Sequence, residues 1–133
     1  MKPTQKIWLV ALAGAVMAIC FMIVAASNLR FLSHHVGILM TLWTVMPYVI
    51  LWTGKYFFQR CDIQKLWLHF AVFEVLVVAW IYWQTLVMYH DAQESLIFLF
   101  LPLIQASLNL IIGVLFYWRQ SVLIKKGIRD GCE

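Results

Sequence analysis

Hydrophobic residues along the chain fall into four long runs separated by short polar segments. The runs extend over residues 7–26, 36–58, 66–89 and 96–118, with approximate bounds. The length of each run is close to that of a helix that crosses roughly 30 Å of hydrocarbon, which needs about 20 residues. The pattern predicts a single-domain, all-α membrane protein with four transmembrane helices in an up-down bundle, each helix lying beside the preceding one.

The first run also follows Lys2 and Lys6 and ends in a small-residue segment, Ala25-Ala26-Ser27, as a secretory signal does. Its apolar part is longer than the about 7–15 residues typical of a signal core. We therefore interpret it as a retained helix. Small residues recur along it, which is typical of a helix that packs closely against its neighbours.

Composition supports a lipid environment. Of the 133 residues, 64% are hydrophobic and 12% are charged, and the mean hydropathy is +0.85. An average soluble domain is about 45–50% apolar and about 25% charged. A chain this short still exposes much of its surface, so lipid must replace water around most of these side chains.

The net charge of +4 arises from Lys and Arg residues at the borders of the apolar runs. If the N-terminus is inside, nine of the ten lie on the inner side and Arg30 alone lies outside. This bias predicts both termini in the cytoplasm, with a basic cytoplasmic tail over 119–133, and suits a bacterial inner membrane. The same placement argues against nucleic-acid binding. The tail itself is either a short surface helix or a stop-transfer cluster.

The three cysteines, Cys20, Cys61 and Cys132, form no C-x-x-C pair. Their spacing signals neither a redox dithiol nor a zinc site, so we expect three free thiols.

Glu74 is the one carboxylate deep inside an apolar run. It lies about 12 Å from the start of the third helix, near the membrane midplane. An acidic side chain there costs on the order of 2.5–3.5 kcal/mol, so it is expected to face the bundle interior and to have a partner. His69, about 140° away around the helix, is not expected to share its face.

The fourth helix carries the predicted partners. Asn109 lies at the depth of Glu74, and Gln105 is one turn away on the same face. Tyr48 of the second helix is at a similar level. We predict a midplane polar cluster of Glu74, Gln105, Asn109 and Tyr48. Tyr82, by contrast, is assigned to the aromatic belt near the outer edge.

Polar residues also occur in the two outer loops: His34, His35, His90, Asp91 and Glu94. They are candidates for recognition by a partner, or they belong to ordinary solvated loops. Adjacent histidines do not easily bind one ion and no spacing matches a zinc motif, so no metal site is predicted.

Sequence motifs for catalysis are absent: there is no nucleotide loop, H-E-x-x-H, G-x-S-x-G or pair of aspartates at membrane depth. We expect neither enzymatic activity nor a cofactor. Three hypotheses remain. The first is a protein that binds another membrane component, as an accessory subunit or as an immunity-type protein against a pore-forming toxin. The second is an oligomeric proton-coupled transporter or channel that uses Glu74. The third is a purely structural Glu74. Besides the lipid bilayer, the expected partner is another membrane protein or a second copy of the chain.

Overall fold

Four long α-helices make up the fold. The computed structural model describes residues 3–26, 35–88 and 94–127. The helices are α1 (Pro3–Ala26), α2 (His35–Phe57), α3 (Cys61–Trp83) and α4 (Glu94–Lys125), and a π-helical segment, Gln84–Met88, extends α3. All four are long and apolar enough to cross a membrane. The predicted all-α membrane bundle with four spans is therefore confirmed.

The fourth helix continues beyond its predicted end at residue 118. It remains α-helical as far as Lys125, so 119–125 is part of α4 rather than a separate surface helix. Gln120, in this extension, is buried. Its Oε1 accepts hydrogen bonds from the backbone N–H groups of Gln59 (2.9 Å) and Arg60 (3.2 Å), and its Nε2 donates to Phe57 O (3.3 Å). The end of α4 is thereby fixed to the turn between α2 and α3.

Contacts between the helices give their directions. Along α1 and α2 they run in opposite order, since Gly14 lies against Tyr48 and Met22 lies against Thr44. The pair is therefore antiparallel. Along α2 and α4 the contacts run in the same order, from Trp43 with Leu99 to Phe57 with Gln120. These two helices are parallel.

The arrangement of neighbours differs from the prediction. The backbone of α1 packs closely against α2 and α3, and that of α2 against α4, whereas the backbones of α2 and α3 approach each other at few points. The expectation that each helix packs along the preceding one therefore holds for α1 and α2, but not for α2 and α3 or for α3 and α4. The reason is Gly14, which is in contact with Tyr48 of α2 and Val75 of α3. Because α1 approaches both helices at this point, it separates them.

The small residues of α1 are used inside the bundle. Ala11, Gly14 and Ala18 are buried and Ala15 is partly buried. A face of this kind lets helix backbones approach closely. It packs against α2 and α3 within the bundle.

Aromatic side chains fill both ends of the core. Toward the α2–α3 turn, Trp67 packs edge-on against Phe58 and Phe116, and its Nε1 donates to Leu51 O at 2.9 Å. At the opposite end, Tyr82 stacks on Phe98 with ring centroids 5.0 Å apart. The polar residues at the midplane lie between these two apolar layers.

The cysteines differ from expectation at one position. Cys20 is free and exposed, but Cys61 is disulfide-bonded. The expectation of three free thiols is therefore wrong for Cys61, and Cys132 lies outside the described residues. A disulfide requires two Cβ atoms close together in the fold, which spacing along the sequence does not reveal.

Replacing Gly14 with Ala is expected to destabilise the bundle, while the same change at Gly113 is expected to be tolerated. A Cβ at Gly14 would overlap the Tyr48 ring and lie 2.9 Å from Val75 Cγ2, whereas a Cβ at Gly113 would lie 3.8 Å from Trp67. At both positions, alanine is intrinsically more favourable than glycine within a helix by about 1 kcal/mol. We expect Gly14→Ala to have a free energy of unfolding about 1–3 kcal/mol below that of Gly113→Ala, because only the former overpacks the core. Reversible unfolding in mixed micelles measures this difference, and equal stabilities would contradict the close approach of α1.

Candidate functional site

Four polar side chains from three helices meet near the middle of the bundle. Glu74 belongs to α3, Gln105 and Asn109 to α4, and Tyr48 to α2. Their exposed fractions are 6%, 3%, 1% and 2%. The structure thus brings together the four residues of the predicted midplane cluster and shields all of them from lipid and water.

Glu74 points inward because of its position on α3. It lies on the buried stripe that Trp67, Ala71, Val78 and Tyr82 share with it. Its Oε1 accepts a hydrogen bond from Gln105 Nε2 at 3.1 Å. Helices α3 and α4 otherwise make few backbone contacts, so this bond between two long side chains spans a gap between them.

Asn109 binds chiefly to α2. Its Nδ2 donates to the carbonyl oxygen of Pro47 at 3.2 Å. The same amide lies near the Glu74 carboxyl, without a hydrogen bond of good geometry between them. The predicted link from Asn109 to Glu74 is therefore secondary to a link between α4 and the α2 backbone. The difference follows from the packing, since α4 lies against α2 rather than against α3.

Tyr48 and Tyr82 complete the interior. The Tyr48 ring lies over Gly14, and its hydroxyl is close to the Gln105 amide. Tyr82 is fully buried, although the sequence analysis assigned it to the outer aromatic belt. The signal that would have identified it is its spacing, since Glu74, Val78 and Tyr82 follow one another at four-residue intervals on the same face of α3.

Several buried polar atoms have no hydrogen-bond partner among the described residues. Around the midplane they are Glu74 Oε2, Asn109 Oδ1 and the hydroxyls of Tyr48 and Tyr82. Leaving a buried polar atom unpaired costs about 1–3 kcal/mol. These atoms are the groups that have unused hydrogen-bonding capacity for a ligand, a partner or a proton.

A groove lies next to the cluster, between α2 and α4, with Trp67 of α3 at its base. Its volume is about 370 Å³. Asn109 lies at one end and Tyr117 at the other, a separation of about 12 Å along α4. The lining residues are mostly apolar: Ile50, Thr53, Gly54, Phe57, Phe58, Trp67, Asn109, Leu110, Gly113, Val114 and Tyr117. We call this feature the α2–α4 groove.

The groove opens toward the lipid-facing side of the bundle. Phe57, Leu110, Val114 and Tyr117, which line it, are all more than half exposed. An apolar cavity that holds few polar groups is typical of a binding site for an apolar molecule or side chain. Sequence reasoning missed the groove because it depends on the distance between two helices and on two glycines.

The outer-loop candidates are only partly within the described residues. His34, His90 and Asp91 lie outside them. His35 is exposed at the start of α2, and Glu94 is the first residue of α4. Within the described ranges, no group of His, Cys, Asp and Glu residues is arranged to hold a metal ion. Recognition by this rim stays a prediction.

His69 lies apart from the midplane cluster. Its side chain is exposed, and its Nδ1 is 2.7 Å from the carbonyl oxygen of Lys65. This position follows the helix rotation expected from the sequence.

No protein-family model, curated protein or solved structure matches the chain.

A double-mutant cycle on Glu74 and Gln105 tests whether their hydrogen bond joins α3 to α4. We expect a coupling of about 0.6 kcal/mol, and not above about 1.7 kcal/mol, between Glu74→Leu and Gln105→Leu. The measurement is the free energy of unfolding of the two single variants and the double variant. Glu74→Leu combined with Gln120→Leu is the control, because Gln120 lies at the α2–α3 turn and distant sites add independently. Additive effects of Glu74→Leu and Gln105→Leu would show that their contact contributes nothing.

Proposed function

We propose that this integral membrane protein is non-enzymatic and acts by binding another membrane protein within the bilayer. The observation that carries the proposal is the α2–α4 groove, which is open to the lipid-facing side and has exposed helix surfaces on both flanks. Its walls are suited to recognition, since their polar side chains are an amide, a phenol, an indole and a hydroxyl. The hydroxyl, of Thr53, already donates to Ile50 O at 2.8 Å.

The roles that fit this proposal are those of an accessory subunit of a membrane complex and of an immunity-type protein that neutralises a pore-forming toxin in the same bilayer. Both require contact between transmembrane helices, and neither requires a catalytic group. The small-residue face of α1 packs inside the bundle. The groove and the exposed sides of α2 and α4 therefore provide the contact surface.

A cytoplasmic location for both termini is part of the proposal. The described Lys and Arg residues belong to the segments that meet at the α2–α3 turn: the start of α1, the end of α2, the start of α3 and the end of α4. Cations are concentrated in cytoplasmic segments of membrane proteins. We place this end of the bundle on the cytoplasmic side of a bacterial inner membrane.

The alternative, a proton-coupled transporter that uses Glu74, is less well supported by the geometry. An oligomeric pathway would need Glu74 on a surface shared between copies. Glu74 is instead 6% exposed within a single chain and holds a hydrogen bond to Gln105. Its unpaired Oε2 is the feature that keeps a proton-carrying role as the second candidate.

Site-specific cross-linking tests the binding proposal. A photoreactive amino acid at Val114, on the rim of the groove, is expected to give one defined cross-linked product with a partner membrane protein in its native membrane. The matched control is Leu76 on α3, whose exposed fraction of 64% is close to the 66% of Val114. Products at both positions alike, or at neither, would contradict a partner-binding groove.

Glu74→Gln distinguishes the two candidate functions. Glutamine keeps an oxygen that accepts from Gln105 Nε2, so we expect the fold and the Val114 cross-link to be retained. Proton flux in proteoliposomes is expected to be the same for Glu74→Gln and for the unmodified protein. Flux that is present in the unmodified protein and lost in Glu74→Gln would instead establish the transport function.

A further inference from the structure

Glu74 carries the one described carboxyl that lies in the apolar interior of the bundle. Its exposed fraction is 6%. Oε1 accepts a hydrogen bond from Gln105 Nε2, whereas Oε2 has no partner among the described residues. The other described acidic residues, Asp62 and Glu94, lie at the starts of α3 and α4. The charge state of Glu74 decides which hydrogen bonds this side chain can make.

Positive charges lie far from this carboxyl in the described part of the chain. The described Lys and Arg residues all lie at the end of the bundle where α2 joins α3. On α3 itself, Lys65 comes nine residues before Glu74, which is about 13 Å along the helix axis. The ion pair of the described residues, between Arg60 and Asp62, is at the same end. His69 is exposed and lies on another face of α3.

The groups that surround the carboxyl are neutral on every helix. Helix α2 contributes the phenol of Tyr48, and α4 contributes the amides of Gln105 and Asn109. On α3, the phenol of Tyr82 lies two turns farther along the same buried stripe. At the midplane, α1 packs with small residues, and its cysteine, Cys20, is exposed. An ionised Glu74 would therefore have no counter-charge.

We infer that Glu74 is a proton-binding site, which holds one proton on Oε2 at neutral pH and joins α3 to α4 as an uncharged carboxylic acid. A carboxylate without a counter-charge in apolar surroundings is so costly that the group takes up a proton instead. The hydrogen bond from Gln105 identifies Oε1 as the carbonyl oxygen. A hydroxyl at Oε2 also reduces the number of buried acceptors without a donor, since it is itself a donor.

The proton is held in place rather than relayed. Proton relays in membrane proteins run through chains of polar side chains that connect with one another. Here Glu74 Oε2 and the hydroxyls of Tyr48 and Tyr82 are buried without hydrogen-bond partners among the described residues. No hydrogen-bonded chain of described side chains therefore leads from Glu74 to either end of the bundle. The inference goes beyond the proposed function, which requires no particular charge on Glu74.

Infrared spectroscopy tests the charge state, because a protonated carboxyl and a carboxylate absorb at well-separated frequencies. The intact protein is measured at neutral pH in micelles of a detergent that has no carbonyl group. Glu74→Gln is expected to lose one band of a protonated carboxyl. Asp62→Asn is the control and is expected to lose carboxylate bands, because Asp62 accepts from Arg60 at 3.1 Å. Loss of carboxylate bands in Glu74→Gln would overturn the inference and leave the proposed function intact.

A second variant keeps Glu74 and tests which oxygen carries the proton. Gln105→Leu removes the donor to Oε1, so the protonated-carboxyl band is expected to remain and to move to higher frequency. Gln120→Leu, at the α2–α3 turn, is expected to leave the band unchanged. A band that does not move in Gln105→Leu would overturn the assignment of Oε1 as the carbonyl oxygen. Carboxylate bands that change in its place would overturn the neutral state itself.

Deuterium exchange tests whether the proton is held. After transfer of the unmodified protein to heavy water, the Glu74 band is expected to keep its frequency after the amides of exposed helix ends have exchanged. A shift of the band that is faster than the exchange of these amides would show that water reaches the proton. That result would overturn the held proton and favour the transport candidate over the proposed function.

Discussion

The close approach of α1 to two helices at once determines how the rest of the bundle is arranged. Gly14 has no side chain, so the Tyr48 ring of α2 and the Val75 side chain of α3 both reach the α1 backbone. At this level α1 lies between α2 and α3, so these two helices make direct contact mainly near the turn that joins them, where Trp67 packs on Gly54. Helix α4 packs closely against α2, while its backbone lies farther from α3 and meets that helix through large side chains such as Phe98 and Phe116.

Polar side chains hold the bundle together where this arrangement leaves backbones apart. In hydrocarbon, a polar group has no water to bind, so it must find a partner inside the protein. Glu74 and Gln105 are long enough to meet across the gap between α3 and α4. Near the α2–α3 turn, Gln120 has the same role, because its amide binds three backbone groups of the 57–60 segment. Such bonds are individually weak in membranes, and their main effect is to fix the register of the helices.

The sequence was sufficient to predict what depends on depth and helix rotation. Hydrophobic length identified the four spans, and counting residues from their ends placed Glu74, Gln105, Asn109 and Tyr48 at one level and on inward faces. It was not sufficient to predict which helices are neighbours, because that depends on how closely backbones approach at particular small residues. The same arrangement of neighbouring helices accounts for the hydrogen bond from Asn109 to the Pro47 carbonyl and for the burial of Tyr82. The sequence analysis also did not predict that Gln120 holds the end of α4 against the α2–α3 turn, because Gln120 lies beyond the fourth apolar run.

The candidate binding site is not centred on Glu74, because this carboxyl and the two buried amides near it are used in hydrogen bonds between helices. Glu74 attracts attention in the sequence because a carboxylate in an apolar run is costly. In the fold, its Oε1 accepts from Gln105 and the whole side chain is enclosed. Asn109 is one helical turn from Gln105, and its Nδ2 donates to the Pro47 carbonyl oxygen, so it joins α4 to α2 at one end of the groove. The α2–α4 groove, unlike the enclosed carboxyl, opens to the outside of the bundle. The bond between Glu74 and Gln105 therefore bears on the groove only indirectly, because it helps to fix the rotation of α4, which forms one wall of the groove.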